Sequence, residues 1–284
     1  MKANVLFRRL DEDFKIGMCK DDWSFVQFNE FIDPGFKLRY IGVMLNNTDE
    51  IKKVYTATFP DEMILDEILR RSETKILLFS HHAMGYNPGL EGFPFYNIPV
   101  KYLQELKKRN ISFYVLHLPL DINGIYSTSM TLANALQLEV ESEFCEYPGC
   151  NVGVVCKSDF KFVKDFVNHV KTTVGHDIKL REYGDDIIKD GKIALAAGGG
   201  NLDFVAREVS QLKINTYLTG CTRIVPTFEP VMEFHRISKE NRINVIGATH
   251  YSTEKYACIA VIEYFKGLGI KAEFIEDVPN MADL

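Results

Sequence analysis

The chain has 284 residues, of which 46% are hydrophobic and 25% charged, so it can bury one large core or two smaller ones. This composition excludes a disordered or collagen-like chain. The formal net charge is −6, and the chain has no excess of the basic residues that bind a phosphate backbone. This argues against nucleic acid as the main partner. No apolar run approaches the ~18 residues of a membrane span, and the charged start does not resemble a signal peptide. We therefore expect a cytoplasmic protein that does not enter a membrane.

From about residue 38 onward, short runs rich in Val, Ile, Tyr, Phe and Leu alternate with amphipathic stretches of helical spacing. The predicted strands are 53–59, 75–80, 112–118, 153–157, 177–181, 192–197, 215–218, 244–247 and 271–276. The predicted helices are 61–71, 100–109, 129–138, 160–174, 202–212, 226–239 and 256–268. This alternation predicts an α/β protein with at least partly parallel sheets.

A strand–helix–strand unit occurs twice, first between Val54 and His81 and again between Ile193 and Leu218. Turn-forming residues accumulate around 122–152, which predicts an N-terminal α/β lobe at residues 1–130 and a second α/β lobe at residues 131–284. The six cysteines have no C-x-x-C spacing, and we interpret them as reduced, mostly buried thiols.

Histidines follow three of the predicted strands, at the carboxyl ends where ligands gather in open α/β sheets. His81 and His82 come directly after the run 75–80. Neighbours within a strand point to opposite faces, so such a pair would serve two adjacent ions, one each, rather than hold one ion from one side. The alternative is a structural or solvated pair.

The next strand ends at His117, with Asp121 four residues later. Pro119 favours an extended chain here, so we predict that His117 and Asp121 lie at a strand end and in a loop, not on a helix. The alternative is that His117 only ends the strand and Asp121 begins an Asx turn.

A third strand, 244–247, precedes His250 and Glu254. Ser252 or Thr253 would cap a helix beginning near Glu254. Glu254 would then join His250 at the sheet edge or, alternatively, only complement the positive end of that helix.

Together these strand ends supply four imidazoles and two carboxylates, enough for two divalent ions with a bridging carboxylate and open positions for water. Mixed nitrogen and oxygen ligands suit zinc, iron or manganese and do not suit calcium. We interpret the remaining histidines, at positions 169, 176 and 235, as structural.

A glycine run, Gly198-Gly199-Gly200, lies between a predicted strand and a predicted helix. It allows close approach of a ligand or another strand, and a helix N-terminus would accept an anion. It lacks the residue order of a P-loop or of a dinucleotide site, and a tight strand-to-helix turn explains it equally well.

The order of these motifs resembles the Ngg-interacting-factor-three-like family of dinuclear metal-binding proteins, many of them labelled GTP cyclohydrolase I type 2 homologues. The resemblance runs from about residue 50 to the C-terminus. The motifs are His81-His82, His117-x3-Asp121, Gly198-Gly199-Gly200, Thr219-Gly220 and His250-Tyr251-x2-Glu254.

The resemblance implies two similar α/β lobes with mixed sheets, a metal site in the inter-lobe cleft, and a homohexamer. The segment that carries His250 and Glu254 would return to that site. By motif, the metal ligands fall on His81, His82, Asp121, His250 and Glu254, with His117 close by. The family's N-terminal Trp-Asp motif is hardly recognisable around Asp22-Trp23.

Two hypotheses for function follow. The first is a metal-dependent hydrolase of a small molecule, either GTP-cyclohydrolase-like or acting on a phosphoester or amide, in which His117 moves a proton. The second is a non-enzymatic metal-binding scaffold or metallochaperone that acts through protein partners.

Overall fold

A computed structural model describes residues 1–147 and 149–284, which form two compact units. Unit 1 consists of Met1–Asp121 and Cys258–Val278, and unit 2 consists of Ile122–Ala257 and Pro279–Leu284. The predicted division places one boundary between the lobes, after residue 130. In the structure the chain passes from one unit to the other three times, after Asp121, after Ala257 and after Val278.

Helices and strands alternate along most of the chain. The helices are α1 (Ala3–Asp13), α2 (Glu62–Arg70), α3 (Val100–Lys108), α4 (Leu118–Asp121), α5 (Thr128–Ala135), α6 (Val163–Val174), α7 (Asp203–Gln211), α8 (Glu229–Glu240) and α9 (His250–Gly267). The strands are β1 (Gly42–Leu45), β2 (Lys53–Ala57), β3 (Ile76–Ser80), β4 (Gly85–Tyr86), β5 (Phe95–Tyr96), β6 (Ile111–Val115), β7 (Glu139–Glu146), β8 (Asn151–Lys157), β9 (Lys179–Arg181), β10 (Lys192–Ala196), β11 (Thr216–Thr219), β12 (Asn244–Gly247) and β13 (Lys271–Phe274). Short 3₁₀ helices occur at Ile16–Met18, Phe36–Leu38, Lys189–Gly191 and Met281–Asp283.

The main sheet of unit 1 has the strand order β1-β6-β3-β2-β13. Its strands β6, β3, β2 and β13 are parallel, and β1 is antiparallel at the edge. Strands β3 and β6 are buried along their whole length, as expected of parallel strands that are covered on both faces. The crossover helices α2 and α3 supply apolar stripes to this core.

The register of these strands places the predicted histidines at one edge. Ala57 pairs with Ser80, and Ser80 pairs with Val115, so the carboxyl ends of β2, β3 and β6 are level. Hydrogen bonding continues one step further, because the His81 N–H donates to the Ala57 carbonyl at 3.1 Å. His81 and His117 therefore follow adjacent strands at the same end of the sheet.

Unit 2 is built around a sheet of order β7-β8-β10-β11-β12-β9. Strands β10, β11 and β12 are parallel, while β8 and β9 flank them in antiparallel orientation and β7 pairs antiparallel with β8. Ala196 pairs with Thr219 and Thr219 with Gly247, so the glycine run after β10 and the start of α9 lie at the same edge. The predicted α/β class with mixed sheets in two lobes is confirmed.

Helix α1 and strands β1, β4, β5 and β7 were absent from the sequence prediction. Helix α1 lies in the stretch that we read as poorly periodic, although Leu6, Phe7 and Leu10 bury one of its faces. Strand β1 is four residues long, and β7 alternates acidic residues with few apolar ones. Short or acidic strands carry little hydrophobic signal, because pairing rather than burial of a whole face defines them.

The prediction that no helix passes through Pro119 was wrong. Leu118–Asp121 form a single helical turn, in which the Leu120 and Asp121 N–H groups donate to the His117 carbonyl at 2.8 and 3.2 Å. Proline is tolerated in the first turn of a helix because its missing N–H would have no intrahelical partner there. The turn places Asp121 above His117 on one side.

Helix α9 begins earlier than predicted, at His250 instead of near Glu254. Thr249, with φ of 65°, precedes it, and its Oγ1 accepts a hydrogen bond from the Ser252 N–H at 3.2 Å. The capping residue is therefore Thr249 and not Ser252 or Thr253. Across the described part of the chain, no helix combines the length and the apolar character needed to cross a membrane.

Candidate metal centre

Three imidazole rings lie against one another at the sheet edge of unit 1. The ring centroids are 4.4 Å apart for His81 and His82, 5.0 Å for His81 and His117, and 4.8 Å for His82 and His117. One ring nitrogen from each lies within 4.8 Å of the others, which is close enough for a shared ion. We call these three residues and Asp121 the histidine cluster.

The rings of His81 and His82 both belong to this cluster. Strand β3 ends at Ser80, so the alternation of side chains that holds within a strand does not separate them. Both side chains are buried, and His82 stacks on Phe59 with a centroid distance of 4.3 Å and an angle of 11°. The pair is thus part of the packed interior and is not a solvated strand end.

A carbonyl fixes the orientation of His81. Its Nδ1 lies 3.1 Å from the Leu116 carbonyl oxygen, so the ring hydrogen belongs on Nδ1 and the lone pair of a neutral ring on Nε2. That Nε2 lies 3.3 Å from Oδ1 of Asp121. An imidazole lone pair beside a carboxylate oxygen is a donor set that suits a cation.

A carboxylate fixes the orientation of His117 in the same way. Oδ1 of Asp21 accepts a hydrogen bond from Nδ1 of His117 at 3.0 Å, and Nε2 lies 3.9 Å from Oδ2 of Asp121. Burial disfavours the charged imidazole, but the negative charge and hydrogen bond of Asp21 outweigh it, so the pKa of His117 is raised. Asp21 was missed by the sequence analysis, although it directly precedes the Asp22-Trp23 segment where the family motif was sought.

Unit 2 contributes a second pair of ligand-type residues. His250 and Glu254 lie one helical turn apart on α9, with Nε2 of His250 3.0 Å from Oε1 of Glu254. Both side chains are buried. Because α9 begins at His250, Glu254 lies in the second turn, beyond the unpaired N–H groups that a helix-end role would require.

The backbone around this pair is held from two directions. Oδ2 of Asp283 accepts a hydrogen bond from the His250 N–H at 2.8 Å, and Asp283 is itself buried. Oγ1 of Thr253 accepts a hydrogen bond from the Gly198 N–H at 2.9 Å. Asp283 carries no motif, and the sequence analysis did not select it.

The glycine run provides room for the pair. A Cβ built on Gly198 would collide with Oε1 of Glu254 and lie 3.1 Å from Nε2 of His250, and Gly198 has a φ of 72°. Gly200 is equally restricted, because a Cβ there would collide with the hydroxyl of Tyr217. These glycines form a tight turn that allows close approach, which was one of the two interpretations left open.

The model of the Duf34/NIF3 (NGG1p interacting factor 3) family matches residues 33–280. The chain belongs to this family. It is similar to the GTP cyclohydrolase 1 type 2 homolog of Pyrococcus horikoshii, with 28% identity over 231 residues that cover 80% of this chain and 86% of the relative. It is also similar to the protein of the same name from Archaeoglobus fulgidus, with 25% identity over 263 residues that cover 90% and 95% of the two chains.

A solved structure supports the fold of this Duf34/NIF3 chain. The structure described as protein ybgI, of unknown function, superimposes with a TM-score of 0.74 at 18% identity and covers 99% of each chain. The family model confirms the resemblance inferred from the motifs, and the solved structure confirms the α/β fold.

The remaining histidines of the Duf34/NIF3 chain make structural contacts. Nε2 of His169 lies 2.9 Å from the Leu136 carbonyl oxygen, and Nε2 of His176 lies 2.8 Å from Oγ of Ser252. Burial, with the nearby positive charge of Arg181, lowers the pKa of His235 to about 4. These contacts agree with the structural role that we assigned to all three.

Proposed function

We propose that this Duf34/NIF3 chain binds two divalent transition-metal ions and uses them to hydrolyse a small molecule. The proposed ligands are His81, His82, Asp121, His250 and Glu254. The observation that carries the proposal is the 3.3 Å separation of His81 Nε2 and Asp121 Oδ1, with His81 Nδ1 occupied by a carbonyl. Zinc, iron and manganese suit this mixture of imidazole and carboxylate.

Each unit offers preorganised ligand groups. In unit 1 the Leu116 carbonyl and the packing against Phe59 hold the rings of His81 and His82. In unit 2 the buried start of α9 holds His250 and Glu254 one turn apart. Outer groups of this kind orient ligands and raise their basicity, which strengthens metal binding.

Bound divalent ions would supply an activated water at neutral pH and polarise the bond to be cleaved. The protein's own contribution to proton transfer falls on His117. Asp21 holds the hydrogen on its Nδ1, so Nε2 is the atom that would accept or return a proton. The name shared by the relatives suggests a GTP-cyclohydrolase-like reaction, and hydrolysis of a phosphoester or amide is the wider class.

We further propose that the chain works in the cytoplasm as a homohexamer. Light scattering should then give a particle several times larger than the 32.5 kDa chain. A particle with the mass of a monomer would contradict the hexamer but would not bear on the proposed metal binding.

Elemental analysis of protein purified without added metal or chelator tests the proposal directly. About two transition-metal ions per chain are expected, together with turnover of GTP or of another member of a nucleotide, phosphoester and amide panel. Two ions with no turnover, but with transfer of metal to a partner protein, would instead favour a metallochaperone. Protein that repeatedly contains no metal would defeat both.

A matched pair of variants separates a ligand from a merely acidic residue on α9. Glu254→Gln keeps the shape of the side chain but removes its charge, so both ions should bind poorly and any hydrolysis should fall. Glu263→Gln removes a charge from the exposed part of the same helix and should leave metal content unchanged. Full metal content in Glu254→Gln would remove Glu254 from the ligand set.

A further inference from the structure

A continuous group of aromatic rings leads from the surface of unit 1 to the histidine cluster. Phe25 is 65% exposed and Phe93 is 41% exposed, and their ring centroids are 5.1 Å apart. Trp23 lies 6.1 Å from Phe25, 6.0 Å from Phe93 and 5.7 Å from the ring of His117. Phe95 lies 5.6 Å from Trp23. We call Trp23, Phe25, Phe93 and Phe95 the aromatic wall.

The rings of the aromatic wall do not stack flat on one another. The angles between neighbouring ring planes are 49° for Trp23 and Phe25, 81° for Phe25 and Phe93, and 41° for Phe93 and Phe95. Phe95 extends the wall inward, with its centroid 5.4 Å from that of His82. Large aromatic groups exposed beside a cluster of reactive side chains mark a binding surface, because exposed rings gain free energy when another ring covers them.

A buried carboxylate oxygen lies at the inner end of the wall. Asp21 is 6% exposed, and its Oδ1 accepts the hydrogen bond from His117. Its Oδ2 has no hydrogen-bond partner within residues 1–147 and 149–284. A buried carboxylate oxygen without a donor is costly, and such atoms in a native structure call for a ligand that supplies the donor.

We propose that the aromatic wall and Asp21 bind a planar nitrogen heterocycle that carries N–H donors, such as a nucleobase. Its ring would lie against Trp23 and Phe93, and one of its N–H groups would donate to Oδ2 of Asp21. An aliphatic or purely anionic substrate would use neither feature, and a carboxylate would repel an anion. The inference deepens the proposed function and rests on it for the reaction, but the binding itself involves only residues of unit 1 and requires no metal.

The sequence offers its own probe. Trp23 is the only tryptophan of the chain, so fluorescence excited selectively at tryptophan reports on the aromatic wall. Guanosine, which has ring and amino N–H donors, would be titrated into metal-stripped protein, with ribose as the ligand that lacks the ring. We expect a saturable change in fluorescence with guanosine and none with ribose.

Three variants test the assignment. Phe93→Leu should weaken guanosine binding roughly 5- to 150-fold, the range found when a stacking side chain is removed. Asp21→Asn should weaken it by about tenfold or more, because a charged acceptor is lost. Phe162→Leu, at a phenylalanine of similar exposure (39%) in unit 2, should bind guanosine as the parent does.

Absence of saturable binding, or equal affinity in the parent and Phe93→Leu, would overturn the inference. So would Phe25→Leu and Phe93→Leu variants that lower the particle mass in light scattering but leave guanosine affinity unchanged, because the wall would then be an interface between copies. Metal analysis of the same preparations separates the two proposals. Guanosine binding by a protein that never holds metal would defeat the proposed function and leave this inference standing. A protein that holds metal but does not bind guanosine would overturn this inference and leave the proposed function standing.

Discussion

The side chain of Glu254 packs so closely against the backbone of Gly198 that position 198 has no room for a side chain. A Cβ on Gly198 would occupy the position of the Glu254 carboxylate, and it would also lie 3.1 Å from Nε2 of His250. Glu254 lies 56 residues further along the chain, and its position depends on a glycine whose own φ is 72°. A ligand pair and a glycine turn that looked like separate motifs are one packed unit.

Gly198→Ala should therefore reduce metal content as well as stability. The methyl group would push the Glu254 side chain away from His250, and the left-handed backbone would add about 1–2 kcal/mol of strain. Elemental analysis and urea unfolding measure the two effects. Gly175→Ala is the matched control, since Gly175 has a φ of 81° but open space around its Cβ position. If both variants lose stability and both keep their metal, the steric role of Gly198 is wrong.

His81 and His82 should differ in stability but not in metal loss. Each alanine variant is expected to lose about one metal equivalent, while His82→Ala also loses the stack on Phe59, worth about 0.5–1.5 kcal/mol beyond simple burial. Metal content and thermal unfolding would be measured on the same preparations. His169→Ala, which removes a histidine bonded to the Leu136 carbonyl, should keep its metal. Unchanged metal content in either cluster variant would show that the residue is not a ligand.

Asp283 should support His250 through the start of α9. Asp283→Ala removes the acceptor of the His250 N–H, and loss of such a cap costs about 0.5–2 kcal/mol of unfolding free energy. Urea unfolding should show that loss, and metal retention during dialysis should weaken because His250 is no longer held. Asp283→Asn retains an acceptor oxygen and should recover most of both. Equal behaviour of the two variants would argue against the hydrogen bond as the cause.

A carboxyl pair in unit 1 should make stability fall as the pH rises. Asp61 and Asp277 share a hydrogen bond, and burial together with the charge of Asp61 raises the pKa of Asp277 to about 7. The folded chain therefore holds a proton that the unfolded chain releases near pH ~4, so the stabilising contribution is present below that pH and is lost as the pH approaches 7.

Asp277→Asn removes this repulsion while keeping a group that can donate to Asp61. Its melting temperature should match that of the parent at pH 4 and exceed it at pH 8, by about 2–4 °C for each kcal/mol of repulsion relieved. Melting curves at the two pH values measure the difference. A constant offset at both values would mean that the shared proton is not responsible.

The sequence by itself determined the α/β class and the positions of the histidines. Buried parallel strands are recognisable in a sequence as apolar runs. The residue after such a run lies at the carboxyl edge of the sheet, whatever the details of packing. His81, His117 and His250 could be selected for that reason. The glycine run at 198–200 was also visible, although the group that fills the space beside it was not.

Only the tertiary structure decided which groups hold those histidines. Asp21 reaches His117 across 96 positions of the chain, and Asp283 reaches the His250 backbone across 33. Asp21 lies in a loop and Asp283 ends a short 3₁₀ helix, and no spacing rule links either carboxylate to a distant histidine. The helical turn at Leu118–Asp121 depended on a proline that a first turn tolerates. The start of α9 depended on Thr249, whose positive φ is disfavoured locally and is imposed by the surrounding packing.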